Sequence, residues 1–332
     1  MRRALWTTDG LDVTEVELGP LADGRARLRV AACGICGSDL HWWHGSMPRP
    51  LGTAPGHELA GTVVDGPAGL DDVLYAVSPN VSCGRCQFCQ VGQTHLCDRA
   101  LGRGLGMGAD GGLSEVLDVP VANLAPVTTD RPAVAALTEP LAVALRGVSL
   151  GDVGPDSRVL VLGAGTIGLG AALLARDRAS EVAITARHPH QADAAAAMGV
   201  TVLGEHEGIA WAKERGADVV IESVGGTAPT LGDAVKAARK GGTIVLLGSF
   251  TEPRPVDLSK LMMKELRLQG SFCYGSTKRG PEYAAAARLT GRFESELSAM
   301  TTHQFPLDQV TDAFEAAADK SSGAIKVTIL PN

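Results

Sequence analysis

Four cysteines stand close together in the segment CGRCQFCQVGQTHLC, with the spacing C-x2-C-x2-C-x7-C. One folded-back loop with this spacing can bring four thiolates around a single ion. Zinc accepts tetrahedral sulfur coordination, and a closed shell of four cysteines leaves no position for a substrate. We therefore predict a structural zinc at Cys83, Cys86, Cys89 and Cys97. The alternatives are an iron–sulfur cluster, whose bacterial run has a shorter last gap followed by proline, and four cysteines without a ligand.

A second group of reactive side chains begins in CGICGSDLHWWHG and continues with GHE and TEPLAV further along the chain. A catalytic zinc needs a few nitrogen, sulfur or oxygen ligands and one vacant position. The candidate ligands are Cys36, His57, Glu58 and Glu139. Each of these residues alone is more often an ordinary core or surface residue, so the local spacing leaves both interpretations open.

A glycine-rich sequence, GAGTIG, directly follows a predicted strand and opens a predicted helix. Glycine permits the tight turn and lets a pyrophosphate approach the positive end of the helix. In this context the G-x-G-x-x-G pattern predicts dinucleotide binding, with a plain packing turn as the alternative. The predicted cofactor contacts of the turn are Gly163, Gly165, Thr166, Ile167 and Gly168.

The end of the next predicted strand bears on the choice of cofactor. Dinucleotide-binding folds usually place a carboxylate there, about 20 residues after the glycines, to hold the ribose hydroxyls. This strand end reads AITARHPH, so Ala186 and Arg187 occupy the place. Alanine removes the repulsion of a 2′-phosphate, and the guanidinium of Arg187 can hold a phosphate through two hydrogen bonds. We expect NADP in preference to NAD; the alternative is a solvent-facing Arg187 and an enzyme that uses NAD.

The elements that position these residues form two kinds of domain, and 332 residues are enough for two cores. Before about residue 120, RARLRVA and HELAGTVVD show the two-residue alternation of strands with one buried face. From residue 158 onward, six β-branched runs alternate with alanine-rich segments, of which 191–198 and 231–240 are predicted helices. Strands with helical crossovers indicate a doubly wound parallel sheet, so the fold class is α/β.

Composition and charge exclude several classes of protein. The formal net charge is −7 and no long run of Lys or Arg occurs, so we expect no nucleic-acid partner. Segment 159–175 carries no charge, but it is at the short limit for a membrane span and is better explained as a strand that leads into a helix. Seven cysteines and an N-terminus without a secretory pattern predict a cytoplasmic protein with no disulfide framework and no membrane partner.

Together, the segments resemble the zinc-dependent medium-chain dehydrogenase/reductase family over essentially the whole chain. GICGSDLH, GHE, the four-cysteine loop and EPLAV are most similar to its sorbitol and threonine dehydrogenase branch. The resemblance implies a β-rich, GroES-like catalytic domain at 1–140 and 273–332. It also implies a Rossmann domain with a doubly wound parallel sheet at 141–272.

The resemblance also implies roles for individual residues of the catalytic domain. Cys36 and His57 would ligate the catalytic zinc, while Glu58 and Glu139 exchange with water or substrate in the remaining position. Ser38 would lie beside the bound alcohol, Asp39 would support the ligating histidine, and His41 would end a proton relay. These assignments define an open zinc site with a path for one proton.

Three further cofactor contacts are expected. Lys326 resembles a basic position that meets the pyrophosphate in relatives, with a solvated lysine as the alternative. Val224 and Leu247 are the other two predicted contacts.

The implied activity is hydride transfer between NADP(H), or NAD(H), and a secondary alcohol, a ketone or a polyol-type small molecule, with two zinc ions per chain. The alternatives are a reductase of an activated C=C or C=N bond and a nucleotide-binding protein without catalysis. Segment 266–272 ends the predicted parallel sheet, and an exposed edge strand tends to be paired or covered. Because the resembling family joins subunits at this edge, a homodimer or homotetramer is expected.

Overall fold

The computed structural model of the chain describes residues 1–70, 72–278, 280–319 and 321–332, and only the backbone of Leu101. The strands are β1 (Arg2–Trp6), β2 (Leu11–Glu15), β3 (Arg25–Gly34), β4 (Glu58–Asp65), β5 (Leu74–Val77), β6 (Val116–Pro120), β7 (Leu124–Pro126), β8 (Arg158–Leu162), β9 (Glu181–Ala186), β10 (Thr201–Gly204), β11 (Ala217–Glu222), β12 (Ala238–Leu246), β13 (Arg267–Gly270), β14 (Ser276–Thr277), β15 (Gly280–Pro281), β16 (Thr301–Pro306) and β17 (Lys326–Leu330). The α-helices are α1 (Gly37–Trp43), α2 (Gln87–Gln90), α3 (Pro132–Ala136), α4 (Thr138–Leu150), α5 (Thr166–Arg176), α6 (Pro189–Ala197), α7 (Gly208–Arg215), α8 (Thr230–Ala237), α9 (Leu258–Met263), α10 (Glu282–Leu289), α11 (Glu294–Met300) and α12 (Val310–Ala318).

The chain divides into two compact units. The first contains Met1–Glu139 and Gly275–Asn332, and the second contains Pro140–Tyr274. Strands dominate the first unit, whereas strands and helices alternate in the second. The predicted α/β class, with a β-rich part and a doubly wound parallel sheet, is confirmed.

A mixed sheet with the order β16-β17-β3-β4-β5-β7 forms the centre of the first unit, and β6 also pairs with β3. The predicted alternation is visible in β3, where Ala26, Leu28 and Val30 are buried and the arginines between them are more exposed. The buried face packs against α12 residues such as Phe314. Strands β3 and β4 run antiparallel with Gly34 opposite Glu58, so the end of one lies beside the start of the other.

The second unit contains a parallel sheet with the order β10-β9-β8-β11-β12-β13. In β8, residues 159–162 are all buried, as expected for a strand that helices cover on both faces. The chain builds outward from β8 to β10 on one side and then from β11 to β13 on the other. This reversal puts a topological switch point between β8 and β11, the place where open parallel sheets bind ligands at their carboxyl ends.

Two helices begin or end at residues other than those predicted from the sequence. Helix α8 ends at Ala237 and not at residue 240, because residues 238–240 belong to β12. The ammonium of Lys264 donates hydrogen bonds to the carbonyls of Val235, Lys236 and Ala238 at the end of this helix, at 2.7–3.0 Å. Helix α6 begins at Pro189, two residues before the predicted start, because proline is favoured at the first helical position.

Segment 159–175 forms the end of β8, the glycine-rich turn and most of α5, as the sequence predicts. Among the described residues, the helices are too short or too polar to cross a membrane.

Candidate active site and metal-binding loop

A thiolate, an imidazole and a carboxylate come together where β3 and β4 meet. Ligand atoms of Cys36, His57 and Glu58 all lie within 4.8 Å of one another. Cys36 follows β3 and is the residue before α1, whereas His57 and Glu58 stand at the start of β4. The Gly34–Glu58 register of the two strands therefore assembles the group. One sulfur, one nitrogen and one carboxylate oxygen are a donor set that suits zinc with a position left open.

Asp39 organises this cluster from the first turn of α1. Its Oδ2 accepts a hydrogen bond from the Cys36 N–H at 2.9 Å, and its Oδ1 lies 3.6 Å from His57 Nδ1. A carboxylate behind one ring nitrogen fixes the histidine so that the other nitrogen faces a metal. Although burial lowers the pKa of His57, the charges of Asp39 and Cys36 raise that pKa well above its usual value. The pocket therefore favours a positive charge, which a bound cation also supplies.

Two more predicted residues lie on α1. Ser38 Oγ is 3.5 Å from His57 Nε2, on the side of the ring opposite Asp39. His41 lies one turn further along the helix and is partly exposed, and its carbonyl accepts a hydrogen bond from Ser46 Oγ at 2.9 Å. One short helix thus carries a hydroxyl beside Nε2 of His57, a candidate metal ligand, and an imidazole that is partly exposed.

Lys326 forms a buried ion pair with Glu58. Its Nζ donates to both carboxylate oxygens, at 2.8 and 2.6 Å, and to the carbonyl of Ile35 at 2.9 Å. Burial alone would lower the pKa of Lys326, but the charge of Glu58 raises it. A Cβ at Gly34 would overlap a Glu58 oxygen, so glycine is needed there. The lysine predicted to contact the cofactor is neither solvated nor free, because it neutralises a candidate metal ligand.

Glu139 lies outside the closely spaced ligand group, yet it is electrostatically coupled to that group. The residue is buried, with 6% of its surface exposed. Burial, with a smaller contribution from Glu58, raises its pKa to about 7, while His57 and Lys326 oppose the shift. A carboxyl group with this pKa can gain or lose a proton near neutral pH.

The four-cysteine loop has a geometry that matches a sulfur-coordinated ion. All four sulfur atoms lie within 4.8 Å of one another, with Cys86 Sγ 3.5 Å and Cys83 Sγ 3.9 Å from Cys89 Sγ. Four sulfurs at about 2.3 Å from a tetrahedral zinc would be about 3.8 Å apart. Backbone N–H groups of Arg85 and Cys86 lower the pKa of Cys83 to about 6. Cys83 is therefore prepared to act as a thiolate, and all four cysteines are free of disulfides.

The glycine-rich turn joins β8 to α5 in the second unit. Gly163 has a φ of 96°, which a residue with a side chain rarely adopts. A Cβ at Gly168 would overlap the carbonyl of Gly163, so the helix begins in direct contact with the turn. Gly165 precedes α5 and is exposed, with Thr166 and Ile167 partly exposed beside it. Backbone N–H groups at the start of a helix can bind a phosphate, so this turn is a candidate phosphate site.

Residues that the sequence did not single out hold this turn in place. Ser223 Oγ donates to the carbonyls of Leu162 and Gly163, at 2.9 and 3.1 Å. Thr185 Oγ1 accepts a hydrogen bond from the Gly163 N–H at 3.0 Å. Both residues stand at or just beyond the carboxyl ends of strands that flank β8. Only that placement, beside a glycine-rich turn, could have indicated them.

Glu222 is another unpredicted residue, and it ties down the loop after β11. It is completely buried, and its Oε1 accepts hydrogen bonds from the Val224 N–H, the Gly225 N–H and the Thr230 hydroxyl, at 2.8–3.0 Å. Val224 is 47% exposed and lies against Gly163, where a Cβ would come within 2.5 Å of its Cγ2. Leu247, the other predicted contact, follows β12 and packs against Gly147.

Arg187 extends from the end of β9, while Ala186 is buried within it. The Arg187 side chain is 69% exposed, and its Nε lies 3.5 Å from Glu205 Oε2. His188 and His190 stack with their rings 5.5 Å apart at the start of α6. An exposed guanidinium at this strand end is available to a ligand.

Comparisons with known proteins agree with this architecture. The alcohol dehydrogenase GroES-like domain matches residues 22–129, and the zinc-binding dehydrogenase family matches residues 166–290. L-galactonate-5-dehydrogenase of Escherichia coli (strain K12) is 30% identical, with 92% of each chain covered. L-threonine 3-dehydrogenase of Rhizobium etli (strain CIAT 652) is 32% identical, with 95% of this chain and 93% of the relative covered.

A solved structure described as a zinc-binding dehydrogenase of Sinorhizobium meliloti 1021, bound to NADP, has a TM-score of 0.89 and 31% identity, and covers 99% of this chain and 98% of its own. The fold and the sites thus define a nucleotide-dependent oxidoreductase with a GroES-like and a Rossmann domain. The chain belongs to the zinc-dependent medium-chain dehydrogenase/reductase family. It is an NAD(P)-dependent dehydrogenase of alcohol-type substrates, and the predicted family and enzyme class are confirmed.

Proposed function

We propose that the chain transfers hydride between NADP(H) and a secondary alcohol or ketone, with a polyol-type small molecule as substrate. The observation that carries the proposal is the cluster of Cys36, His57 and Glu58, backed by Asp39. The names of L-galactonate-5-dehydrogenase and L-threonine 3-dehydrogenase support a small polar substrate that carries a hydroxyl group.

Two zinc ions per chain are part of the proposal. Cys36 and His57 would hold the catalytic ion, with Glu58 or Glu139 as the exchangeable ligand. The four cysteines of the loop would hold the structural ion. A zinc ion at the first site supplies a Lewis acid that lowers the pKa of a bound hydroxyl group.

The residues of α1 and β4 would then orient the reactants and move one proton. Asp39 keeps His57 in the ring orientation that presents Nε2 to the site. The hydroxyl of Ser38 accepts the substrate hydroxyl proton and donates its own proton onward. His41 receives that proton and releases it to water, since an imidazole nitrogen can accept and donate a proton. The reverse sequence delivers a proton to a substrate carbonyl during reduction.

The cofactor would occupy the carboxyl ends of the parallel strands in the second unit. The pyrophosphate would lie at Gly163–Gly168, and Arg187 would bind the 2′-phosphate of NADP through charge-assisted hydrogen bonds. Such a contact is worth about 1.5–3 kcal/mol, so we expect a preference for NADP on the order of tenfold to a hundredfold in kcat/KM. The NADP in the Sinorhizobium meliloti structure supports this choice.

The experiment combines metal analysis with a substrate screen of polyols, amino alcohols and their ketones. Cys36→Ser and His57→Ala should lose turnover and one zinc per chain while the circular dichroism spectrum is kept. Cys273→Ser is the matched control, because Cys273 belongs to neither cluster. Full activity in Cys36→Ser would contradict the catalytic assignment.

A homo-oligomer is also proposed. Strand β13 is the last strand of the parallel sheet on one side, and among the described residues it pairs with β12. Apolar side chains lie exposed on β13 and the neighbouring α9, namely Met262 at 70%, Met263 at 65% and Leu268 at 39%. Light scattering should show at least a dimer for the natural chain and smaller species for Met262→Glu. Leu51→Glu, at an exposed apolar position of the other unit, is the control.

A further inference from the structure

We propose that Glu205 is a second determinant of the choice between NADP and NAD, acting as a charge that restrains Arg187 and opposes the 2′-phosphate. The inference rests on the proposed function, because it concerns the same adenosine-ribose site. It gives that site a carboxylate, although the end of β9 has none.

The parallel sheet brings the two residues together. Strands β9 and β10 are neighbours, and Gly204 pairs with Ala186 in their register. Arg187 and Glu205 are the first residues after β9 and β10, so the chain leaves the sheet at neighbouring positions of its carboxyl edge. Arg187 Nε lies 3.5 Å from Glu205 Oε2. The carboxylate that is usual at the end of the second strand is thus supplied by the strand beside it.

Both side chains of this pair are accessible, with exposures of 69% for Arg187 and 45% for Glu205. An exposed ion pair shifts an equilibrium by no more than about fivefold, so a phosphate group can take the guanidinium from Glu205. The 2′-phosphate approaches a charge of about −2 near neutral pH. The displaced carboxylate of Glu205 stays closer to the phosphate than the screening length of about 8–10 Å, and it therefore repels the charge of the phosphate. NAD, which lacks the phosphate, meets no such repulsion.

Two acidic side chains follow β10, and Glu205 is the one that lies beside Arg187. Glu207 Oε2 accepts a hydrogen bond from the Gly204 N–H at 2.7 Å and is held by the turn. His206 Nε2 lies 4.0 Å from Glu205 Oε2 and its side chain is almost fully exposed. Glu205 therefore limits the gain that Arg187 provides for NADP.

The test compares kcat/KM for NADP and NAD, at fixed substrate, in the natural enzyme and in Glu205→Gln. We expect the NADP-to-NAD ratio to rise about three- to fivefold, through a lower KM for NADP with kcat unchanged. Glu214→Gln makes the same change of charge at an exposed carboxylate of the same unit, paired with Arg215, and should leave the ratio unchanged. Calorimetry with adenosine 2′,5′-bisphosphate and 5′-AMP provides a readout without turnover. Glu205→Gln should bind the bisphosphate more tightly and 5′-AMP equally well.

The outcomes separate this inference from the proposed cofactor preference. An unchanged ratio together with an unchanged affinity for the bisphosphate overturns the role of Glu205. The role is also overturned if Glu205→Gln has a lower kcat/KM for NAD and does not bind the bisphosphate more tightly. In that case the carboxylate of Glu205 would hold the ribose hydroxyls. If the natural enzyme favours NAD and Glu205→Gln shifts the ratio toward NADP, the proposed preference fails and the role of Glu205 stands.

Discussion

Lys326 and Glu58 form an ion pair in which both side chains are almost completely buried, at 4% and 1% exposure. The pair links β17 to the start of β4, two strands that are distant in sequence. Two opposite charges that share hydrogen bonds can be buried together, whereas either charge alone would be costly. The candidate metal site is thus built around a carboxylate that is already neutralised.

Lys326→Met should destabilise the protein by about 3–5 kcal/mol, because it leaves the charge of Glu58 buried without a partner. The double variant Lys326→Met/Glu58→Gln should recover part of this loss, since it removes both charges. Urea unfolding measures the difference. Lys236→Met is the control, because Lys236 pairs with Asp233 on the surface and its loss should cost less than about 1 kcal/mol. A Lys326→Met protein as stable as this control would show that the pair does not hold the fold together.

Glu139 predicts a pH dependence of stability. Its pKa is raised by burial from 4.5 to about 7. Between these values the native chain keeps a proton that the unfolded chain releases, so ionisation opposes folding as the pH rises. The penalty is absent below about pH 4.5 and complete above about pH 7, at about 3 kcal/mol.

Glu139→Gln has no group that ionises at this position. Its free energy of unfolding should therefore increase relative to that of the natural protein from pH 5 to pH 7. Above pH 7 the difference between the two proteins should stay constant. Both proteins are dialysed against a chelator first, because a nearby cation would lower the pKa of Glu139. Denaturant titrations at each pH measure the difference. A constant difference from pH 5 to pH 8 would mean that Glu139 does not titrate in this range.

Much of the second unit could be predicted because its signals are local. Residues 159–162 form an apolar run typical of a doubly covered strand, and Gly163 marks the turn that follows. The four-cysteine loop is equally local, since its ligands fall within one short segment. The predicted end of α8, at residue 240, is wrong because local sequence does not show the contact at the true end. That contact comes from Lys264, which lies beyond the next strand.

The remaining features depend on contacts between distant segments. The pyrophosphate contact of Lys326 stays a prediction, and nothing in its neighbouring sequence indicates Glu58, which lies 268 residues away. Glu205 and Arg187 meet only because β9 and β10 are adjacent. Pairing of strands, which no single segment encodes, therefore decides which charges the sites contain.

The four-cysteine loop should depend on metal for its stability. Cys89→Ser removes a sulfur that lies 3.5 and 3.9 Å from two of the others. The variant should lose one zinc per chain and unfold at a lower temperature, because binding of a structural metal contributes to folding. Zinc analysis and differential scanning calorimetry measure the two effects. Cys273→Ser should keep both values, and loss of zinc without any change in the unfolding temperature would argue against a structural role.

Glu222 should support both the second unit and its cofactor loop. Glu222→Ala leaves the Val224 and Gly225 N–H groups and the Thr230 hydroxyl without their common acceptor, so we expect a loss of about 2–4 kcal/mol. Thr230→Val removes one of the three bonds and should cost about 1 kcal/mol.

Val224 lies against Gly163 of the predicted pyrophosphate turn, so loosening its loop should raise the KM for the cofactor more than the KM for the alcohol. Steady-state kinetics with each substrate varied in turn, below the unfolding temperature of the variant, separates this effect from stability. A Glu222→Ala enzyme that is destabilised but has an unchanged cofactor KM would limit Glu222 to the core of the sheet. If the KM of the cofactor rises in Glu222→Ala and less in Thr230→Val, the carboxylate positions the loop in proportion to the hydrogen bonds it accepts.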